Sequence, residues 1–397
     1  MKQTVINNLF KNRLFYLILA LSLYTIILLL FRINILPPGI NKIEEHYLKL
    51  ILGWRGIIRD PLNLAINIIR SIDYKFFQPI KSSYLILLPN IILGFLSVIE
   101  FSFLLIIWYG KRTAFFGSFI FASGTYFLHI ARFANNDIEY LFGMVTLLLI
   151  SSIFKYKLNQ IILYLIALTL GILLLIPGFI WLELIVLFLI KANLIKAVSY
   201  LRKWYKKLML LLVFLVPIGL LIKYFTIQSE HIIRWLGYDK NLGNNFVMII
   251  QKIAAVFSNI FIYGPNQNYL WLGRVPILNI FETTMCLIGI YFYIKFFRSH
   301  RSIMLFSLLI VSALLVGIGN ILSIAVIIPI MYIFIATGIS YCLRTWLKHF
   351  PFNPIMRTFG YALVVITILI SITFNLRSYF IAWSNSPVTK SSFNIHQ

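Results

Sequence analysis

Apolar residues along this chain come in blocks of about 20, divided by short polar stretches. A helix of that length spans a hydrocarbon core of roughly 30 Å. Strands of a membrane barrel would alternate apolar and polar residues, and these blocks do not. Helices satisfy their backbone groups without water, so the pattern predicts an all-α, polytopic membrane protein. The spans read as 14–32, 82–108, 113–130, 138–154, 159–176, 178–190, 208–226, 276–297, 303–319, 320–341 and 358–376, about 11 in all. The stretch 245–263 is apolar but carries Gln251 and Lys252, which fits a helix along the interface. Residues 1–397 read as a single polytopic domain. Its long connections are 33–81 and 227–275, and the other connections are tight.

Composition narrows this reading. Hydrophobic residues make up 61% of the 397, and the mean hydropathy is +0.92; a soluble domain cannot hide that much apolar surface. The first run, Phe15 to Phe31, follows Lys11 and Arg13 and has no small-x-small site at its end. It reads as a retained membrane helix, not a cleaved signal. The two cysteines, Cys286 and Cys342, both lie in apolar runs, which argues against a disulfide framework or a cysteine metal site.

Charge adds orientation. Lys and Arg number 35 against 11 Asp and Glu, a net +24. The basic residues fall between spans and form no continuous patch, so they report topology and contact with anionic membrane lipids, not nucleic acid. With a cytoplasmic N-terminus, the inside segments hold Lys111, Arg112, Lys155, Arg301, Arg344 and others, and no acid. Glu44, Glu45, Asp60, Asp73, Asp137, Glu139, Glu230 and Asp239 all fall outside. Any carboxylate chemistry is therefore expected on the extracytoplasmic face of a multi-pass cell-membrane protein.

Within the first outside loop, Asp60-Pro61 reads as a helix start, Asp as cap and Pro in the first turn. Leu62, Ala65, Ile66 and Ile69 then share one face, as in an amphipathic surface helix. Two acidic constellations stand out. After Pro37-Pro38-Gly39 comes Asn41-Lys42-Ile43-Glu44-Glu45-His46. Neighbouring helical residues diverge by about 100°, so one of the two glutamates faces a given cavity; alternatively both cap a helix N-terminus. The other is His129-Ile130-Ala131-Arg132-Phe133-Ala134-Asn135-Asn136-Asp137-Ile138-Glu139. There Asp137 can serve as an N-cap and Arg132 can snorkel.

At these residues the chain resembles the GT-C glycosyltransferases, the class of the protein O-mannosyltransferases and the lipid A aminoarabinose transferases. The resemblance rests on Pro37-Pro38-Gly39 with the acidic pair and on Leu88-Pro89-Asn90 with Gly94. It continues through Ala131-Arg132-Phe133 with Asn136-Asp137, then Ile328-Pro329, Gly338, Arg344 and Tyr379-Phe380 with Trp383. Glu44 stands where that class usually has Asp.

The resemblance implies transfer of a sugar from a polyprenyl-phosphate donor to an extracytoplasmic acceptor: protein, lipid or glycan. The phosphate leaves as a stable anion, so one carboxylate base suffices. It implies Glu44 as that base, with Glu45 or Asp137 orienting the acceptor or the sugar. Arg55, Arg59 and Arg132 are the implied phosphate contacts, and His129 lies beside the acids. Lys75 belongs to the excess of cations in the first loop, with Lys42, Lys49, Arg70 and Lys81; binding of anionic headgroups explains that excess equally. No cofactor is expected, although the histidines and acids together offer ligands to a divalent metal ion without a recognisable spacing. Glu100 and Glu183 lie inside apolar spans, where a charge is costly. The run Tyr263 to Trp271 suits either sugar stacking or an interfacial aromatic belt. The competing class is a transporter or flippase of a lipid-linked sugar. It would favour internal repeats and mid-membrane charges, and the acids here cluster outside the spans.

Overall fold

The computed structural model describes residues 13–33, 35–36, 41, 44, 60–77, 87–156, 158–201, 203–227, 230–238, 246–265, 271–319 and 321–393. Among the described residues every regular element is helical and there is no strand. The apolar blocks account for this directly, since each helix closes its own backbone hydrogen bonds. The chain runs through α1 (Arg13–Leu30), α2 (Leu64–Phe77), α3 (Leu88–Tyr109), α4 (Lys111–Ser123), α5 (Thr125–Ala131) and α6 (Asp137–Ile153). It continues through α7 (Gln160–Leu173), α8 (Phe179–Ser199), α9 (Trp204–Ile227), α10 (Glu230–Trp235) and α11 (Phe246–Phe261). The last third holds α12 (Ile280–Lys295), α13 (His300–Gly319), α14 (Ile328–His349), α15 (Pro354–Arg377), a π turn (Ser378–Trp383) and α16 (Pro387–Ser392).

The protein is a multi-pass membrane protein. Among the described residues, five helical stretches are long and apolar enough to cross a bilayer, and the pair α4 and α5 makes a sixth when counted as one span. The eleven-span expectation included shorter apolar helices as well, among them α7. Lipid-facing sides are visible on the outer helices: Leu212, Val216 and Ile222 of α9 and Leu369, Ile370 and Phe374 of α15 are all exposed apolar residues. At the centre, α14 is buried on every side from Ile328 to Ile339.

Two features shape the bundle around the site. At Gly124 the chain bends by 60° between α4 and α5. Any Cβ there would collide with the Tyr332 hydroxyl of α14, so glycine lets the bend press into the core. The other is the crossing of α12 and α14, where Gly289 faces the Phe334 carbonyl and Gly338 faces the Met285 carbonyl. Small residues allow this backbone approach, as in membrane helix pairs generally. Glu100 resolves as a partner in the bundle: Thr146 of α6 donates to its Oε2 on α3 at 2.6 Å.

One expectation is corrected. The helix after Asp60-Pro61 begins at Leu64, not at Pro61. Asp60 Oδ1 accepts from Leu62 N (3.3 Å), closing a turn instead of capping a helix. Asn63 then takes a left-handed φ of 56°, and its N–H donates to the Leu175 carbonyl (3.0 Å). Those bonds delay the helix by a turn.

Replacing Gly338 with Leu should cost about 1–3 kcal/mol by overpacking the α12–α14 crossing. Thermal unfolding in detergent checks this. Gly219→Ala, inside α9 at a position with open space around it, should not lower the transition and should raise it slightly, by about 0.5–1 kcal/mol of helix propensity.

Candidate functional site

Glu44 is 2% exposed. Its Oε2 accepts from Asn41 N and its Oε1 from Ala134 N, both at 3.0 Å. One carboxylate thus bridges the loop leaving α1 and the turn between α5 and α6. Burial pushes its pKa from 4.5 up to about 7, and the two backbone bonds offset only part of that.

The turn is held from beneath. Asn90, fully buried at the start of α3, donates through Nδ2 to the carbonyls of Phe133 (2.6 Å), Asn135 (2.9 Å) and Ile130 (3.4 Å). From α2, Arg70 donates to Asn136 Oδ1 and to the Asn135 carbonyl, each at 2.9 Å. Arg70, one of the cations of the first outside loop, is 5% exposed and fastens this turn. Glu139, fully buried, accepts from Ile66 N of the same helix at 2.9 Å.

Asp137 is the first residue of α6, and Asn136 takes the cap position that Asp137 was read to fill. Asn135 Nδ2 donates to Asp137 Oδ2 (2.6 Å), while Asp137 N donates to Asn135 Oδ1 (3.1 Å). Burial raises the Asp137 pKa; bonds from Ser323 and Asn135 draw it back. Asp137 lies three residue steps past Ala134, at most roughly 11 Å of chain. Glu44 and Asp137 therefore share one turn of backbone.

Arg132 is 1% exposed. Its guanidinium donates to the carbonyls of Phe31 and Leu36 (2.8 Å each) and of Leu28 (3.4 Å). It lies over the rings of Phe380 (5.0 Å) and Tyr379 (5.3 Å). A cation here complements the C-terminal end of α1, so in this structure Arg132 organises the exit of the loop that carries Glu44. His129 is also buried, its ring centroid 4.6 Å from Trp383, 4.8 Å from Tyr379 and 4.9 Å from Trp271. Neither ring nitrogen has a hydrogen-bond partner among the described residues. Trp271, read as part of an aromatic belt or a sugar platform, is instead 4% exposed and packs against His129 and Tyr126.

Glu45, His46, Arg55 and Arg59 lie outside the described residues, as does the side chain of Lys75 on α2. Among the described residues no three His, Cys, Asp or Glu side chains gather as a metal site. Glu183 is 1% exposed, and neither of its oxygens has a partner among the described residues. No local pattern marks Asn90 and Arg70 as supports, or Phe393 as the ring that closes over Phe133 and Trp383. A buried amide at the start of an apolar run was the available signal for Asn90, since such a group needs partners.

No protein-family model matches the sequence, and neither does any curated protein. Solved structures do match. The oligosaccharyltransferase AglB from Archaeoglobus fulgidus, in complex with an inhibitory peptide and a dolichol-phosphate, aligns with a TM-score of 0.57 at 16% identity. That alignment covers 96% of this chain and 56% of AglB, so the chain spans little more than half the length of its structural neighbour. The apo form of the same enzyme aligns at 0.55 and 15% identity, covering 96% of this chain and 60% of the other. ArnT from Cupriavidus metallidurans in the apo state aligns at 0.45 and 12%, over 83% of this chain and 64% of the other. At such identities the likeness is one of architecture: this chain has the GT-C fold of the membrane glycosyltransferases.

Proposed function

We propose that the protein is a glycosyltransferase that moves a sugar from a polyprenyl-phosphate donor to an acceptor on the extracytoplasmic face. The observation that carries this reading is the buried Glu44 carboxylate. It sits on the loop after the first membrane helix and is bound to the turn that bears Asp137. The fold supports the reaction class, and the structural neighbour AglB was solved with a dolichol-phosphate, a lipid carrier of the same chemistry. The confinement of the loop acids to one set of connections, with none in the other, supports the face.

In this reading Glu44 is the base. The acceptor O–H or N–H bond breaks, its proton passes to Glu44, and the acceptor atom bonds to the anomeric carbon. The bond from that carbon to the phosphate oxygen breaks, and its electron pair leaves on the polyprenyl phosphate. An ionised carboxylate has about four acceptor sites. Two are taken by the N–H groups of Asn41 and Ala134, so the carboxylate can stay held while it receives a proton. A pKa near 7 places the base where proton transfer is efficient at neutral pH. Asp137, or Glu45 beside Glu44, orients the acceptor or sugar. Arg55, Arg59 and Lys75 contact the carrier phosphate and sugar, whereas His129, expected beside them, is packed among Trp271, Tyr379 and Trp383 and takes no part in that contact. Arg132 is a positioning residue acting through α1.

Glu44→Gln should abolish transfer from a labelled polyprenyl-phosphate sugar in membranes. It should also lower the melting temperature modestly. The single amide oxygen satisfies one of the two buried N–H groups, and an orphaned one costs about 1–3 kcal/mol. Full transfer by this variant removes Glu44 from the chemistry.

The pH dependence has opposed signs in two readouts. Transfer should rise with pH through about 7, as Glu44 loses its proton. Its folded-state pKa lies above the unfolded value, so its contribution to stability is full below about 4.5 and is lost as pH rises toward 7. A kcat/KM profile and a melting series across this window read both.

Arg132→Ala should destabilise by about 2–4 kcal/mol, because buried carbonyls lose a charged donor. It should lower kcat more than it raises KM for the donor, as expected for a residue that places the base. Unchanged melting and kcat would contradict the positioning role.

A further inference from the structure

At the end of the bundle opposite Glu44 lies a cavity of about 370 Å³ between α4, α14 and α15. Its lining includes the side chains of Lys111, Arg112 and Arg344 and no carboxylate. The ion pair seen among the described residues joins Arg234 to Asp60 elsewhere, so these three cations have no anionic partner there. Such grouping is electrostatically unfavourable until an anion enters.

The polar groups around the cations suit that anion. Lys111, Arg112 and Thr113 are the first three residues of α4, whose N-terminus has no side-chain cap. The N–H groups of that turn lack helical acceptors, and the positive end of the helix dipole opens on the cavity. Arg112 spends one donor on the Tyr361 hydroxyl (2.8 Å), which braces it and leaves its other N–H groups free. Thr113 donates to Ser340 across the cavity wall (3.0 Å), tying α4 to α14. The Tyr109 side chain, whose hydroxyl is buried, also belongs to this lining.

The rest of the lining is apolar, with Phe116, Ile339, Leu343 and Leu347 on the bundle side. Cations at the rim over an apolar floor match a phosphate joined to a hydrocarbon better than a free, fully hydrated ion. We infer that this cavity binds a phosphate-bearing anion, and that its occupant is the headgroup of an anionic phospholipid. The site is separate from the Glu44 site and does not depend on how that site works.

The test uses the full chain in nanodiscs of phosphatidylcholine with or without phosphatidylglycerol. Native mass spectrometry counts the lipid retained after transfer to detergent. Phosphatidylglycerol should be retained in preference to phosphatidylcholine, and the preference should fall by roughly fivefold for each cation removed in the series Lys111→Gln, Arg112→Gln, Arg344→Gln. The charge-preserving set Lys111→Arg, Arg112→Lys, Arg344→Lys should keep most of it and controls for folding. The single variant Arg344→Gln, at an exposed position, keeps the test open if the triple variant does not fold. Inorganic phosphate is the second arm. If it raises the melting temperature of wild type but not of the Gln variants while the two lipids bind equally, the anion site stands and its source is free phosphate. Equal retention of both lipids together with no effect of phosphate, or a preference that survives in the Gln variants, overturns the proposal.

Discussion

The candidate site hangs on one carboxylate that bonds two distant pieces of backbone. Glu44 holds Asn41 of its own loop and Ala134, ninety residues on, in a setting almost closed to solvent. Burying a charge is expensive unless hydrogen bonds compensate, and two neutral N–H groups compensate only partly. The remainder appears as a pKa raised to about 7. Stability and chemistry thus draw on the same bonds: what fixes the loop against the turn also tunes the acid.

Everything around that contact keeps it in register. Asn90 and Arg70 fasten the turn from α3 and α2, and Arg132 gathers the carbonyls at the end of α1. The last described residues close over the same place, with Phe393 against Phe133 and Trp383. The elements involved are spread from α1 to the far end of the chain. The bend at Gly124 turns the chain into α5 just ahead of that turn, and the crossing at Gly289 and Gly338 packs the core of the bundle tightly.

Much of the fold was legible as pattern, because the bilayer imposes a length and an apolarity that each span must show by itself. The acidic residues on the first loop and at Asp137 were legible for the same reason: a charge among apolar blocks is conspicuous. The supports were not. Asn90 and Arg70 act across 40 to 66 residues of sequence, and no local spacing encodes such a partner. Asp60 misled because an Asp-Pro pair opens a turn as readily as a helix, and bonds to Leu62 and Leu175 decided between them. Trp271 resembled a membrane-interface residue, yet packing against His129 drew it into the core.

The two ends of the bundle hold their charged groups differently. One gathers buried acids within backbone turns, and the other leaves cations unpaired around a cavity. The central claim concerns the acidic end, that Glu44 meets the reacting sugar. A cryo-electron microscopy structure with a non-transferable polyprenyl-phosphate sugar analogue tests it most directly. The account predicts the anomeric carbon close to the Glu44 carboxylate, with room between them for one acceptor atom about 3–3.5 Å from the carbon, and the phosphate against the loop that carries Glu44. An analogue bound elsewhere, with Glu44 still sealed between Asn41 and Ala134 and out of reach of the sugar, would contradict it.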